Sequence, residues 1–496
     1  MQAGTEARAV WGRVFDPDQP NAARLGLRGS VERTVELLST RAGQRPAPTP
    51  SVPHRASLLL MQGRDETDSP AVENQHRRPW AHSIFFIVLI AFLLRLAVIT
   101  IGHTYRITPR RDHFQFGWEM GRIARSIALG QGFSSPTDLS TGPSAWAPPV
   151  YPYILAGVFK LFGIYSNLSA WVILAFNSIF SALTCLTLYR IGEKIYGVAV
   201  ARATAWTWAL FPYAIYWPVR VVWEMSLSAF LLSLALLLTL GMADAPPRPR
   251  VWIGFGLLWG LLALTNTAVL SLLPFCLLYL LWRLPGSLRQ LGGPILCILV
   301  AGLVATPWLV RNYLAFGKFV FVRDNLPLEM YTANNAQSTG LWTRSEHPGN
   351  DPEAMRKFQE LGEIRFMEEK QQQFREFLRE HPGQFFRFTL DRILYFWIGP
   401  PQANIVAGYD LMIARHLMFI LPAAFAFAGL WLTLHEKKTG GFLLACFLLI
   451  YPLPYYLVNP FPRYKHAIEP EMILLAVFLF WEASRTQLPW PIFSKQ

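Results

Sequence analysis

Long apolar runs alternate with short basic connectors along most of the chain after residue 80. Ten of these runs approach the ~20 residues that a helix needs to cross a bilayer, although some are shorter. They lie near residues 82–101, 168–189, 198–217, 221–241, 251–268, 269–283, 291–310, 412–434, 441–458 and 470–484. A shorter apolar segment, 149–164, fits either a further span or a re-entrant segment. If it spans the membrane, the number of spans becomes odd. The pattern predicts an all-α polytopic membrane protein.

The connectors between these runs carry Lys and Arg, and their charge predicts an orientation. They are residues 76–79, 190–202, 244–250, 283–289, 435–438 and the C-terminus. Because basic connectors favour the cytoplasmic side, placing all of them inside gives ten spans with both termini in the cytoplasm. Two long segments then face outward, the first outer segment (102–167) and the second outer segment (311–411). Their positive charge does not oppose this topology, since long loops cross largely regardless of charge.

Both outer segments contain amphipathic helical patterns. In the first, apolar and polar residues occupy opposite faces of a helix that begins around Glu119. In the second, residues 353–381 alternate charged with apolar positions, and residues 385–399 mix arginine with aromatic side chains. These patterns are typical of helices that lie on a membrane surface. For 353–381 a solvated outer domain explains the pattern equally well.

The composition agrees with a membrane protein and excludes several other classes. The 496 residues are 52% hydrophobic and 16% charged, whereas soluble domains are about a quarter charged. The net charge of +13 falls largely in loops and near span ends, so it does not indicate nucleic-acid binding. The four cysteines lie inside apolar runs without a CxxC spacing. Neither a disulfide framework nor a zinc site is predicted.

The chain divides into four regions by composition. Residues 1–79 are rich in Arg, Ala, Pro and Ser and predict a disordered cytoplasmic tail, with Met61 as an alternative start of the protein. Residues 80–310 form the predicted catalytic transmembrane region, which includes the first outer segment. Residues 311–411 form the second outer segment with its amphipathic helices. Residues 412–496 form a C-terminal transmembrane region.

Charged and polar residues gather at the outer ends of the predicted spans and in the outer segments. They are Asp112, Glu119, Glu224, Arg311, Asn334, Asn335, Arg463, Lys465 and His466. A carboxylate at this depth can act as a general base on an acceptor hydroxyl or amine. Nearby Arg and Lys can hold a phosphate and stabilise the charge that develops on it. The cluster therefore predicts chemistry on a lipid-linked phosphate at the outer membrane surface.

Ordinary structural roles remain open for several of these residues. Glu224 could pair with Arg220 one helical turn earlier, and Glu119 with Arg122. Arg311 could anchor the end of a helix among lipid head groups. Asp112 lies directly after two arginines, Arg110 and Arg111. Ionisable residues in membrane helices are nevertheless functional more often than not.

One charged residue inside the predicted spans is interpreted differently. Arg95 lies within the first span and is expected to pack against neighbouring helices or to snorkel.

Familiar catalytic motifs are absent: the sequence has no Walker loop, no HExxH, no GxSxG and no GxGxxG after a strand. A nucleotide-driven cytoplasmic reaction is therefore poorly supported.

Five segments in order carry a resemblance to a known family. They are "GRIARSIALGQGF…GPSAWAPPVYPYILAGVFKLFG", "YRIGEKIYG", "TPWLVRNYLAFGKFVFVRDN", "REFLREHPGQFFRFTLDRILYFW" and "FPRYKHAIEPEMILLA". Over roughly residues 82–484 the chain resembles the GT-C class of integral-membrane glycosyltransferases, in particular the branch of bacterial lipopolysaccharide sugar transferases. It is more distantly similar to protein O-mannosyltransferases and to the aminoarabinose–lipid A transferase.

The resemblance implies a site and a reaction. The acid of the first loop matches Glu119 or Asp112, and the second acid matches Glu224. Arg311 matches the arginine of a "PW-x-x-RN" motif, and the "RY" pair before the last span matches Arg463 and Tyr464. Asn266 stands where relatives often have arginine, which weakens any ligand role there. The family implies a polyprenyl-phosphate-linked sugar donor, transfer on the extracytoplasmic side and inversion at the anomeric carbon.

The expected protein is thus a glycosyltransferase of the bacterial inner membrane that acts on an envelope lipid, glycan or protein. Its expected partners are the lipid-linked donor, the acceptor and membrane lipids, without nucleic acid. Two carboxylates and a phosphate could also hold a divalent cation. The main alternative is a lipid or glycolipid flippase, although the chain shows no clear internal repeat. A non-catalytic scaffold would not need acids and cations gathered on one side.

Overall fold

The computed structural model describes residues 83–108, 116–284, 291–401 and 409–486, with the side chains at 344, 409–415 and 486 excepted. The predicted tail 1–79, Met61 and Asp112 lie outside the described residues. The helices are α1 (Ile84–Ile101), α2 (Glu119–Ala128), α3 (Val150–Phe162), α4 (Asn167–Tyr196), α5 (Val198–Leu210), α6 (Pro212–Arg220), α7 (Met225–Met242), α8 (Pro249–Thr265), α9 (Leu273–Arg283), α10 (Gly292–Phe316), α11 (Leu326–Ala333), α12 (Pro352–Leu361), α13 (Glu363–Glu380), α14 (Pro382–Ile398), α15 (Tyr409–His435), α16 (Gly441–Leu449), α17 (Leu453–Leu457), α18 (Pro462–Lys465) and α19 (Glu469–Thr486). Short 3-10 turns cover Thr267–Leu272 and Arg344–Glu346. The described residues contain no β-strand, only an isolated bridge between Ser134 and Pro143.

The helices confirm the all-α polytopic class. Five are long and apolar enough to cross a membrane: α1, α4, α7, α10 and residues His416–His435 of α15. Shorter apolar helices cover Val150–Phe162, Pro249–Thr265, Thr267–Arg283 and Gly441–Leu457. The predicted total of ten spans is not tested by length and composition alone, and the 13-residue α3 leaves the question of the 149–164 piece open.

The predicted span 198–217 is interrupted where α5 gives way to α6. Pro212 follows the break and Pro218 lies within α6, and proline supplies no backbone N–H. The carbonyls freed at the break are satisfied by the fully buried Arg95 of α1, which donates to the carbonyl oxygens of Ala209 (3.1 Å), Trp208 (3.3 Å) and Ala214 (3.4 Å). Arg95 also donates to the carbonyl of Ala91 and to Ser181 Oγ. It therefore packs inside the bundle rather than snorkelling.

Helices α8 and α10 approach each other closely because glycines line their contact. A Cβ placed on Gly256 would lie 2.7 Å from the carbonyl oxygen of Cys297, and one on Gly260 would lie 2.6 Å from the Cβ of Val304. Small residues at helix contacts allow this approach in membrane proteins. The packing fixes α10, whose C-terminal end supports the second outer segment.

The two outer segments share an apolar core that is separate from the main core of the bundle. Phe116 and Trp146 of the first segment pack with Trp308 of α10 and with Phe358 and Phe366 of the second. The amphipathic pattern predicted at 353–381 forms helices, but it divides into α12 and α13 at Gly362, which adopts a positive φ of 75°. The pattern at 385–399 forms α14. The shared core brings distant parts of the sequence to one place.

Candidate active site

Glu119 begins α2 directly after a left-handed turn. Phe116, Gly117 and Trp118 have φ angles of 63°, 91° and 51°, and two of these residues are not glycine. Bulky residues rarely adopt such angles unless their surroundings enforce them. Phe116 is fully buried in the shared core, so packing holds the turn and thereby the direction of the Glu119 side chain.

The carboxylate of Glu119 faces the imidazole of His347. Their Oε1 and Nε2 atoms are 3.6 Å apart. The backbone N–H of Gly349 donates to Nδ1 of His347 at 3.1 Å, so we assign the proton of the neutral ring to Nε2, on the side of the glutamate. Burial lowers the pKa of His347 to about 3, with a further contribution from Arg122. The imidazole is therefore neutral, and its Nε2–H lies on the side of the acid at 3.6 Å, beyond hydrogen-bond distance.

Glu119 itself titrates near neutral pH. Burial, as the largest cause, raises the pKa of its carboxyl to about 7, and the charge of Glu329 adds to this rise. Arg122 and Arg463 oppose the rise. The guanidinium of Arg122 also contacts Asp138, at 2.8 and 3.3 Å. A carboxyl with such a pKa can accept a proton from a substrate at physiological pH.

Glu224 immediately precedes α7 and is 5% exposed. Its Oε2 atom has no hydrogen-bond partner, and no ion pair within 4.0 Å joins it to Arg220, so the structural alternative from the sequence is not realised. Its electrostatic neighbours are instead Arg463 and Arg323. The second predicted acid thus shares one cation, Arg463, with the first.

Arg463 lies among aromatic rings on the same site. Its guanidinium is 4.5 Å from the ring centre of Trp223, 4.1 Å from that of Phe461 and 5.0 Å from that of Tyr464. Its Nε has no partner, and among the described residues it forms no ion pair within 4.0 Å. Tyr464 stacks on Tyr455 at 4.3 Å. The "RY" pair therefore presents an uncommitted cation that aromatic faces hold in place.

Lys465 and His466 point to a different environment. Lys465 Nζ lies 4.0 Å from the ring centre of Phe419, and burial lowers the pKa of this lysine to about 8. His466 contacts Glu469 Oε2 through Nδ1 at 2.7 Å and stacks on Trp208. The sequence groups both residues with Arg463, but neither is among the charges that shift the pKa of Glu119 or of Glu224.

Arg311, Asn334 and Asn335 have backbone partners. Arg311 donates to the carbonyls of Ser144 and Phe133 and stacks against Trp308, which joins α10 to the first outer segment. Asn334 donates to the carbonyls of Met330 and Leu457 and accepts from Arg392, while Asn335 donates to the carbonyl of Tyr331. These bonds to backbone carbonyls fix the loops around the three residues.

Sequence reasoning missed three residues of the site: His347, Glu329 and Arg323. All lie in the second outer segment, which is long and rich in charge, and no local pattern distinguishes them from their neighbours. Glu329 acts on Glu119 electrostatically, and burial raises the pKa of its own carboxyl against the influence of Arg323 and Arg463. Within the described ranges, no group of three His, Cys, Asp or Glu side chains could hold a metal ion.

The chain is similar in sequence to one family of membrane transferases. Residues 147–310 match the family model described as dolichyl-phosphate-mannose-protein mannosyltransferase. The matched region covers less than half of the 496 residues; it includes Glu224 but not Glu119 or Arg463. The match confirms the resemblance to GT-C glycosyltransferases and supports glycosyl transfer in general terms. No curated protein sequence matches the chain.

Solved structures with a partly similar backbone come from two organisms. The oligosaccharyltransferase AglB from Archaeoglobus fulgidus, solved with an inhibitory peptide and a dolichol-phosphate, has a TM-score of 0.46 at 15% identity over 80% of this chain. The oligosaccharyltransferase of the same organism in its apo form has a TM-score of 0.48 at 14% identity over 83%. The chain spans about half the length of these proteins, 50% and 52%. ArnT from Cupriavidus metallidurans, bound to undecaprenyl phosphate, has a TM-score of 0.35 at 14% identity, covering 82% of this chain and 78% of that one.

Proposed function

We propose that the protein is an inverting glycosyltransferase that moves a sugar from a polyprenyl-phosphate-linked donor to an envelope acceptor. The observation that carries the proposal is that Glu119, a buried carboxyl with a pKa of about 7, interacts electrostatically with Arg463, whose guanidinium forms no ion pair among the described residues. A base and a phosphate-binding cation on one site are what transfer from a lipid phosphate needs. The description of the matching family, which names a dolichyl-phosphate-linked sugar, supports this class of donor.

In the proposed reaction Glu119 removes the proton from the acceptor hydroxyl or amine. The acceptor atom then forms its bond to the anomeric carbon as the bond from that carbon to the phosphate oxygen breaks. The electron pair stays on the departing lipid phosphate, whose added charge faces Arg463. The neutral His347 does not compete for the proton, because its own pKa is far lower.

Glu224 is the second catalytic carboxylate in the proposal. Its unpartnered oxygen and its burial suit a hydrogen bond from a sugar hydroxyl near the reacting carbon. A buried acceptor atom without a partner is unfavourable until a ligand supplies a donor. Bound donor would therefore satisfy an atom that the protein alone leaves unpaired.

We place this site on the extracytoplasmic side of the bacterial inner membrane. The basic connectors between the apolar helices support the orientation, and an envelope lipid, glycan or protein is the corresponding acceptor. A polyprenyl tail would lie among the apolar helices while its phosphate reaches the depth of Arg463.

The transferase proposal is tested with purified protein in lipid nanodiscs and a panel of polyprenyl-phosphate-linked sugars. Glu119→Gln and Glu224→Gln should each lower the transfer rate about 100-fold, within the range found for single catalytic groups. Glu360→Gln on the exposed face of α12 is the matched control and should transfer at the wild-type rate. Full activity in both site variants would refute the assignment.

The flippase alternative predicts a different outcome. A flippase would move an unmodified lipid across the bilayer of proteoliposomes without forming a product, and the two glutamine variants could then affect translocation alone. Translocation without transfer in the wild-type protein would replace the transferase proposal by the flippase.

A further inference from the structure

Arg323 projects from a turn whose backbone is held in an unusual conformation. Val322, just before it, has a φ of 55°, which a β-branched residue seldom adopts. Two side chains of α10 donate hydrogen bonds to the carbonyl oxygen of this valine, Trp308 Nε1 at 2.9 Å and Asn312 Nδ2 at 3.3 Å. Strain of this kind persists where the surroundings enforce it. The turn therefore fixes the direction in which Arg323 leaves the backbone.

The side chain of Arg323 is also oriented from the other end. Its Nε donates to Oδ1 of Asn325 at 2.6 Å, and Nδ2 of Asn325 donates to Oε1 of Glu329 at 3.3 Å. Asn325 is 2% exposed, so this relay is shielded from water. The two terminal nitrogens of Arg323 have no hydrogen-bond acceptor among the described residues. They remain available to a ligand.

Arg323 and Arg463 act on the same groups from different parts of the chain. Both influence Glu224, Glu329 and Tyr464 electrostatically. Neither forms an ion pair within 4.0 Å with any described carboxylate. Both guanidinium groups thus act on one set of acids without an ion pair to them, and each keeps N–H donors that a bound anion could use. The planar fork of arginine suits a phosphate in particular.

We propose that Arg323 is a second phosphate ligand of this site, together with Arg463, and that Asn325 and Glu329 position it. The inference rests on the proposed function in that the phosphate is the one that links the donor sugar to its lipid. The bond between the anomeric carbon and the phosphate oxygen breaks toward the phosphate, which gains one negative charge as the acceptor takes the sugar. A second arginine stabilises that added charge.

Binding of the lipid phosphate tests the proposal without requiring transfer. Wild-type protein in nanodiscs is titrated with a polyprenyl monophosphate and with the uncharged polyprenol of the same length. Arg323→Gln should weaken binding of the phosphate lipid at least tenfold and leave binding of the polyprenol unchanged. Arg323→Lys should fall between wild type and Arg323→Gln, because it keeps the charge but loses the fork. Arg365→Gln, on the exposed face of α13, should bind as wild type.

Two results would overturn the assignment of Arg323: wild-type affinity of Arg323→Gln for the phosphate lipid, or an equal loss of affinity for both lipids. The failure of the transferase proposal looks different. If wild-type protein transfers no sugar while Arg323→Gln still loses affinity for the phosphate lipid, the phosphate-binding role of Arg323 is supported and the transferase proposal is refuted. If wild-type protein transfers sugar and Arg323→Gln binds and transfers equally well, the transferase stands and Arg323 is excluded.

The positioning role of Glu329 has its own test. Glu329→Gln keeps an oxygen that accepts from Asn325, so it should bind the phosphate lipid as tightly as wild type or more tightly. Glu329→Ala removes that oxygen and should lower the affinity at least threefold. An alanine variant with wild-type affinity would show that Glu329 does not position Arg323.

Discussion

At the scale of single residues, the site combines carboxyl groups of raised pKa with arginines that form no ion pair among the described residues. Burial raises the pKa of Glu119 to about 7, which places its titration within the physiological range. The guanidinium of Arg463 lies among three aromatic rings rather than in an ion pair with a described carboxylate. Burying such groups costs free energy when no ligand is bound, and an anionic ligand that carries hydroxyl groups offsets this cost. The chemistry of the ligand can therefore be read from what the side chains lack.

The different environments of Arg463 and Lys465 give a prediction within one short helix. Arg463→Gln should lower sugar transfer about 100-fold, as the loss of one group that stabilises developing charge does elsewhere. Lys465→Met should lower it less than about threefold, because the lysine lies on Phe419 and is not among the charges that shift the pKa of Glu119 or of Glu224. Initial rates at saturating donor measure both. Losses of similar size in the two variants would place Lys465 in the site after all.

Sequence reasoning identified Glu119, Glu224 and Arg463 as site residues because a carboxylate or arginine at the end of an apolar run is conspicuous. It could not find His347 or Glu329 in the same way. These residues lie among many charged neighbours, and only the packing of the two outer segments brings them to Glu119. Arg311 has a conspicuous motif, and the structure adds that two of its nitrogens bind backbone carbonyls of the first outer segment.

At the scale of elements, interrupted helices and tight turns are held by buried polar side chains. Arg95 satisfies the carbonyls at the break between α5 and α6, and α6 leads directly to Glu224. Gly362 permits the bend that separates α12 from α13. Continuous apolar runs in the sequence conceal such breaks, since Pro212 alone does not reveal whether a helix kinks or ends.

Removing Arg95 should destabilise the bundle without touching the site. Arg95→Met keeps most of the volume but leaves several buried carbonyls unpaired, which should cost about 3 kcal/mol of unfolding free energy. Lys318→Met, which breaks only an exposed pair with Glu368, should cost less than about 1 kcal/mol. Denaturant titrations in detergent compare the two. Equal stability of both variants would contradict the role assigned to Arg95.

A buried pair of acids joins the outer segments and should make their stability depend on pH. The backbone N–H of Ala145 donates to Glu363, and burial together with the nearby Asp324 raises the pKa of Glu363 well above its usual value. Burial also raises the pKa of Asp324 to about 6, against the influence of Arg323. Folding thus favours the protonated pair. Its contribution is complete below the ordinary carboxyl pKa of about 4 and is lost as the pH rises through 6 and above.

Glu363→Gln should remove much of this pH dependence. The amide oxygen can still accept from Ala145, and the amide N–H can donate to Asp324 at any pH. The variant should therefore keep its unfolding temperature nearly constant between pH 5 and pH 8 while the wild-type value falls. Glu360→Gln on α12 controls for the change in net charge. A variant whose unfolding temperature falls as steeply as that of wild type would exclude the pair as the cause.

At the scale of the whole molecule, the described residues form two main apolar cores with different structural roles. The larger core packs the bundle helices, and the smaller one joins the first outer segment, α3, the end of α10 and helices α12 and α13. The left-handed turn before Glu119 and the strained turn at Val322 both belong to the smaller core. Packing far from the acids thereby sets their geometry.

The class of the molecule could be predicted from the sequence, because apolar runs near the length of a bilayer leave few alternatives to spanning helices. The arrangement of the outer segments could not. Their helices are amphipathic and predict an apolar contact, but the pattern does not say which surface they contact. The division at Gly362 and the contact of Phe358 with Trp146 arise only from the tertiary structure.

The central claim is that Glu119 acts as the base of a transfer reaction, and the pH dependence of that reaction tests it most directly. The rate of sugar transfer by wild-type protein at saturating donor and acceptor is measured from pH 5.5 to pH 8.5. With the pKa of Glu119 at about 7, the rate should rise up to about tenfold per pH unit at the acidic end and level off above neutrality. A rate that stays flat or falls as the pH rises through this range would contradict the account.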